Sequence, residues 1–226
     1  MTVLFFTGSG VSASAGIPTY RDGGSSWQDP DLEKKSHANR YGNHLNELWD
    51  KHWGPVGKQM VEAEPTYAHK RIGSHGGRVV TQNVDLLHEK GGSPHVDHLH
   101  GSMNVRCLRC THKPDFPHWT GEGAPVCEGC GSHKTRPDVI LFGERINKKQ
   151  FRELNNFLVY EVDAIVVVGA SLVVQPAANL VTDFLGGKKV VSVNPQPSIW
   201  DKHFAKVYPN NADDVIDEAI EFAEKG

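Results

Sequence analysis

The sequence predicts an α/β fold, a buried parallel sheet covered by helices on both faces, and three observations carry the prediction. Five short apolar runs recur along the chain: TVLFF (2–6), GRVVTQ (77–82), DVILF (138–142), AIVVVG (164–169) and KVVSV (189–193). Segments at helical spacing lie between and after them, near 58–73, 148–159, 176–185 and 212–224. The runs are continuously apolar instead of alternating, as strands buried on both faces must be. Strand and helix alternate because each parallel connection has to cross back over the sheet.

Two segments break that alternation. Residues 23–60 are polar and rich in His, Trp and Gly; residues 102–135 hold all four cysteines with little apolar material. Both are expected to be insertions that together form a small second domain (23–60 and 102–135), the large domain comprising 1–22, 61–101 and 136–226. A chain of 226 residues is long enough for this arrangement. Its formal charge of −3 gives no electrostatic reason to expect nucleic acid as a partner. No apolar run approaches the ~18 residues of a membrane span. The N-terminus, MTVLFFTGSG, runs from an apolar strand into a glycine loop without the basic region of a signal peptide. A cytoplasmic protein, monomeric by default, is the expectation.

The cysteines form two C-x-x-C pairs, Cys107/Cys110 and Cys127/Cys130, with 16 residues between the pairs. In a reducing compartment such pairs bind metal more often than they form disulfides. Four thiolates can close a tetrahedron around Zn²⁺ with no open position, which makes the zinc structural and not catalytic. A segment so poor in apolar residues would draw its folding energy from the metal. His112, His118 and His133, in the same stretch, are expected on the surface.

The loop FFTGSGVSASAGIPTYRD (5–22) leads from a strand through Gly8, Gly10 and Gly16 into a helix. Its backbone N–H groups and the helix N-terminus would suit a pyrophosphate. The spacing is not G-x-G-x-x-G, and no acidic ribose partner follows about twenty residues later. Taken by itself, the loop points only weakly to a dinucleotide.

Seven motifs in order resemble the sirtuin family of NAD-dependent protein deacylases: TGSGVSASAGIPTYR (7–21), TQNVDLLHEKGG (81–92), LHGS (99–102), the two C-x-x-C pairs, RPDVILFGE (136–144), VGASLVVQPAA (168–178) and VNPQPS (193–198). The resemblance spans almost the whole chain and looks like a small prokaryotic or viral form. It implies a Rossmann-like large domain and a small domain made of a zinc-ribbon module and a helical module. It also implies an activity in which an acyl-lysine peptide or protein gives its acyl group to the ADP-ribose of NAD, releasing nicotinamide and O-acyl-ADP-ribose.

The motifs assign roles by position. A ribose hydroxyl needs a base of near-neutral pKa, which favours histidine, and the resemblance places His100 in that role. His88, His95 and His98 have no role in the family pattern and are expected to be structural or surface residues. Asn83 is expected to orient a ribose hydroxyl or water, Asp85 to accept from the nicotinamide carboxamide, and Gln82 to meet the ribose. Asn83 and Asp85 would equally well cap a helix beginning near Val84. Gly8, Ser9, Gly10, Gly169, Ser171 and Asn194 are expected on the cofactor, with Arg21 on phosphate or the cofactor loop. Tyr20 stands where the family usually has Phe and would bring a hydroxyl to a site meant to be dry. Ile140, Phe142, Gly143 and Glu144 resemble the strand onto which the peptide adds.

Members that prefer acidic acyl groups carry a Tyr-x-x-Arg pair; residues 40–60 hold Trp49, His52 and Trp53 but no arginine after Arg40. Acetyl or a longer apolar acyl group is therefore favoured. The PNNADD segment (209–214) departs from the family's adenine loop, so the resemblance assigns no adenine contact there. Two other readings stand beside the deacylase: an ADP-ribosyltransferase or NAD hydrolase on the same fold, and a zinc-ribbon binding module. The intact ILFGE strand argues against the first, and the presence of both HGS and QNVD against the second.

Overall fold

The computed structural model describes residues 1–19, 29–110, 112–113, 119 and 121–225. Its strands are β1 (Val3–Thr7), β2 (Arg78–Thr81), β3 (Val96–His98), β4 (Gly101–Cys107), β5 (Thr135–Val139), β6 (Ala164–Val168), β7 (Lys189–Val193) and β8 (Lys206–Tyr208). Six make one parallel sheet in the order β3-β2-β1-β6-β7-β8. The chain winds outward from β1 in one direction and from β6 in the other. The carboxyl ends of these two neighbours therefore flank the crevice where open α/β sheets bind ligands.

The helices are α1 (Pro30–Lys35), α2 (Leu45–Leu48), α3 (Gly54–Glu62), α4 (Tyr67–His75), α5 (Leu87–Lys90), α6 (Lys148–Tyr160), α7 (Asn179–Thr182) and α8 (Ala212–Glu224). On one face of the sheet Phe5, Val166 and Val191 pack on Ala68 and Ile72 of α4 and on Ile216 and Ile220 of α8. On the other, Leu4, Phe6, Ile165 and Val167 meet Leu154 and Leu158 of α6 and Leu180 and Val181 of α7. Successive residues of β1 thus bury opposite faces, which is why the run is apolar throughout. Each such side chain contributes about 1.5–3 kcal/mol by leaving water.

Three expectations are corrected. DVILF is not a strand of the main sheet: β5 ends at Val139 and pairs antiparallel with β4 in a separate two-stranded ribbon. Its apolar side chains Val139 and Leu141 are buried, but in a third cluster; continuous burial identifies an interior and not which interior. The single helix near 58–73 is two, α3 and α4, broken at Pro65, whose ring removes a backbone donor and disfavours helix in the residue before it. Thr66 then caps α4 in a box with His69. The helix expected at 176–185 is regular only over Asn179–Thr182.

That third cluster joins Leu48, Trp49, Trp53 and Met60 from the first insertion to Met103, Val105 and Ala124 from the second. Trp49 Nε1 donates to the Thr135 carbonyl at 3.0 Å, fixing the helical insertion to the ribbon.

Candidate active site and zinc centre

The site residues follow the carboxyl ends of the parallel strands. Gly8 follows β1, Gln82 and Asn83 follow β2, Gly169 follows β6 and Asn194 follows β7. His100 lies between β3 and the ribbon, and Ile140 N–H donates to the His100 carbonyl at 2.7 Å, joining the histidine to the segment that follows β5. A cleft of about 1080 Å³ runs across these strand ends. All fourteen described residues expected on cofactor, substrate or catalysis line it, from His100, Asn83 and Asp85 to Ser171 and Asn194. Tyr20 and Arg21 lie outside the described residues, as does His118.

The glycines here serve approach more than donation. Gly8 N–H donates to Val168 O and Gly10 N–H to Gly169 O, both at 3.0 Å. Those two donors are therefore spent on the end of β6 and the loop that follows it, contrary to the expectation that they would face a pyrophosphate. A Cβ on Gly10 would stand 2.7 Å from Gly169 Cα, and one on Gly169, where φ is +60°, 2.4 Å from Val11 N. The two loops stack backbone on backbone and together form one floor of the cleft. A cofactor with a long polar spine fits such a floor, and the cleft has the volume and the amide, hydroxyl and imidazole groups to hold NAD.

Behind the floor is a buried polar network. The Ser12 hydroxyl donates to Asp85 Oδ2 at 3.0 Å and accepts from Asn83 Nδ2 at 3.1 Å. His69 Nδ1 accepts from Thr66 N–H at 3.2 Å, so the ring hydrogen is on Nε2, 3.5 Å from the same hydroxyl. Thr7 donates to Thr81 at 2.8 Å and takes its own hydrogen bond from His88 Nε2 at 2.9 Å. Burial raises the Asp85 carboxyl, against the Leu87 N–H and Ser12 hydroxyl that stabilise its charge. Burial pulls the His69 imidazole down to about 4 and that of His88 well below its usual value. Both rings are neutral scaffolding. The expected helix start near Val84 is corrected: α5 begins at Leu87 with Leu86 as its N-cap, and Asp85, one residue before that cap, accepts from Leu87 N–H through Oδ1 at 3.1 Å.

His100 Nδ1 faces the Gln82 carbonyl at 3.1 Å. A carbonyl can only accept, so Nδ1 carries the hydrogen and Nε2 keeps its lone pair. Burial lowers the pKa, the Gln82 carbonyl opposing, and the ring is a neutral base at neutral pH. His98, left aside in the sequence, has two partners that only accept: the Asn83 carbonyl at 2.9 Å from Nδ1 and Glu89 Oε1 at 2.7 Å from Nε2. Burial opposes its charge, but the hydrogen bond and charge of Glu89, with Asn83 and Asp85, raise its pKa overall. It is an imidazolium clamp on the backbone of Asn83. Ser12, His69 and His98 were not legible in sequence, because their partners lie far along the chain or on the main chain.

Glu144 turns its carboxylate inward: Oε2 accepts from Arg136 Nη2 at 2.8 Å and Leu141 N–H at 2.9 Å. It shapes the bend that carries Phe142 and Gly143 into the cleft.

At the far end of the ribbon the ligand atoms of Cys107, Cys110, Cys127 and Cys130 lie within 4.8 Å of one another. Cys107 and Cys130 Sγ are 3.6 Å apart and Cys110 and Cys127 Sγ 3.5 Å. Zn–S bonds of ~2.3 Å set tetrahedron edges of about 3.8 Å, so the four thiols suit a closed zinc site. His112 and His133 are exposed, as expected.

The comparisons with known proteins agree with this geometry. The Sir2 family profile matches residues 8–176. The chain is 31% identical to an NAD-dependent protein deacetylase of Staphylococcus epidermidis over 96% of its length and 91% of the relative's. It is 34% identical to NAD-dependent protein deacylase 2 of Archaeoglobus fulgidus, over 96% and 89%. A solved structure described as Sir2 with p53 peptide and NAD⁺ superposes with a TM-score of 0.80 at 28% identity, over 98% of this chain and 92% of that one. With the family profile covering most of the chain and relatives above 30% identity along nearly its whole length, the chain belongs to the Sir2 family.

Proposed function

We propose that the protein is an NAD-dependent protein-lysine deacylase, acting first on acetyl-lysine, that passes the acyl group to ADP-ribose and releases nicotinamide. The observation that carries the reading is the neutral His100, its Nε2 lone pair free to act as base, in one cleft with Asn83, Asp85 and the Ile140–Gly143 segment. NAD, when bound, supplies an electrophilic ribose carbon bearing a leaving group, and the ribose hydroxyls that receive the acyl group.

In this reading His100 Nε2 takes a proton from a ribose hydroxyl, and its Nδ1–H bond to Gln82 holds the ring in the basic tautomer. Asn83, fixed by Ser12 through its amide and by His98 through its carbonyl, orients a hydroxyl. Asp85, part of the same buried network, receives the nicotinamide carboxamide. Gly8, Ser9, Gly10, Gly169, Ser171 and Asn194 hold the remainder of the cofactor, Gln82 meets the ribose, and Ile140, Phe142 and Gly143 take the acyl-lysine. The four cysteines hold zinc and take no part in the reaction.

The same proposal divides the chain into an NAD-binding domain (1–22, 61–101, 136–226) and a small domain (23–60, 102–135). The third apolar cluster, which joins the two insertions, supports this. A cytoplasmic setting suits four unpaired thiols; no described helix is long and apolar enough to cross a membrane.

One assay tests the proposal. The protein is incubated with an acetyl-lysine peptide, with and without NAD, while nicotinamide and peptide mass are followed. Peptide-dependent nicotinamide release with loss of the acetyl mass is the expected result. Release independent of the peptide would instead establish an NAD hydrolase or transferase. His100→Ala should abolish turnover and leave zinc content unchanged.

A further inference from the structure

Helix α6 begins with cations that its own stability disfavours. Its first turn holds Lys148 and Lys149 and no acidic residue, although the positive end of a helix dipole favours carboxylates. Lys149 is answered one turn on by Glu153, at 3.9 Å. Lys148 has Arg152 in that position, a like-charge pair that weakens a helix. Arg145 lies three residues earlier. Arg145, Lys148 and Arg152 are all exposed, all line the cleft, and none makes an ion pair with a described residue.

Few acids in the cleft could answer them. Of the described carboxylates lining it, Asp85 is buried in the Ser12 network and Glu144 is held by Arg136. Glu33 belongs to α1. In a chain of net charge −3, unanswered positive charge is gathered on the rim that continues directly from Phe142, Gly143 and Glu144. Stability does not explain that placement; an incoming negative charge does.

We propose that Arg145, Lys148 and Arg152 select peptides that carry aspartate or glutamate beside the acyl-lysine. The inference rests on the reading of 140–144 as the peptide-binding segment and names the substrate class for it. The cations lie outside the third apolar cluster, whose Trp53, Met60, Val139 and Leu141 line the same cleft, so they act on the flanks of the peptide and not on its apolar acyl group.

The test compares two labelled acetyl-lysine peptides of equal length, one flanked by Asp and Glu and one by Gln, by fluorescence anisotropy, which needs no turnover. The acidic peptide should bind roughly tenfold more tightly, the sum that three exposed charge pairs give. The preference should fade at about 1 M salt, where the screening length is ~3 Å. Arg145→Glu/Lys148→Glu/Arg152→Glu should reverse it while leaving the KM for NAD unchanged. The triple Gln variant should merely erase it, with a melting temperature at or above that of the parent. Equal binding of the two peptides, a preference that survives the triple Glu variant, or a change in the KM for NAD in its place would overturn the proposal. Selective binding of the acidic peptide without deacylation would leave it standing and remove the deacylase reading instead.

Discussion

His52 gives the sharpest quantitative prediction. It ends near the tail of the π-helical turn Trp49–Trp53, only 3% exposed and bordering the cleft. Burial lowers its imidazole from 6.5 to about 4, with the charge of Asp29 opposing. Between those values the unfolded chain binds a proton that the folded chain refuses. The neutral ring therefore stabilises the fold fully above about pH 6.5, and that stability is lost as pH falls toward 4. Two and a half units correspond to about 3 kcal/mol in all, of which ~2 kcal/mol is lost between about pH 7 and pH 5. His52→Phe keeps the ring and removes the titration. Urea unfolding of zinc-loaded parent and variant over this range gives the two slopes, and contributions from the thiolates and the other histidines cancel in the difference. The variant should lose ~2 kcal/mol less than the parent on acidification. Parallel curves, whatever their offset, would refute the buried neutral imidazole.

Other outcomes follow from the same geometry. The acid limb of kcat/KM should titrate below 6.5, because burial lowers His100; a limb above that value would exclude His100 as the base. Glu89→Gln should lower the pKa of His98, read by NMR, and reduce kcat by less than about a hundredfold through a loosened Asn83, with the peptide KM unchanged. Gly169→Ala forces a side chain into a left-handed backbone 2.4 Å from Val11 N. It should cost at least ~1–3 kcal/mol in thermal unfolding and abolish NAD binding. Cys130→Ser should release zinc and peptide turnover together while the far-UV signal of the six-stranded sheet persists.

The large sheet was legible because β1, β6 and β7 are buried on both faces, and only apolar residues satisfy that. The edge strands β3 (Val96–His98) and β8 (Lys206–Tyr208) were not, since three residues with Asp, His or Lys among them carry no periodicity. DVILF misled for the opposite reason: it has the composition of a central strand but its interior is the third cluster. The cysteine cluster and the placing of His100 on the cleft were readable because spacing and motif are local. The Ser12–His69 and His98–Glu89 contacts exist only once β1, β2 and β3 lie side by side. Tertiary contact made these residues part of the site, and a one-dimensional pattern records none of it.

The β4–β5 ribbon has one more consequence. At one end Cys107 pairs with Thr135 beside the thiols; at the other Gly101 pairs with Val139, next to His100 and Ile140. A two-stranded ribbon is marginal by itself, so whatever fixes one end biases the register of the other. Linkage is reciprocal: if metal at the thiols favours the register that presents the peptide strand, bound peptide must slow metal escape by the corresponding free energy. Zinc retention would then report occupancy of a cleft whose residues never touch it.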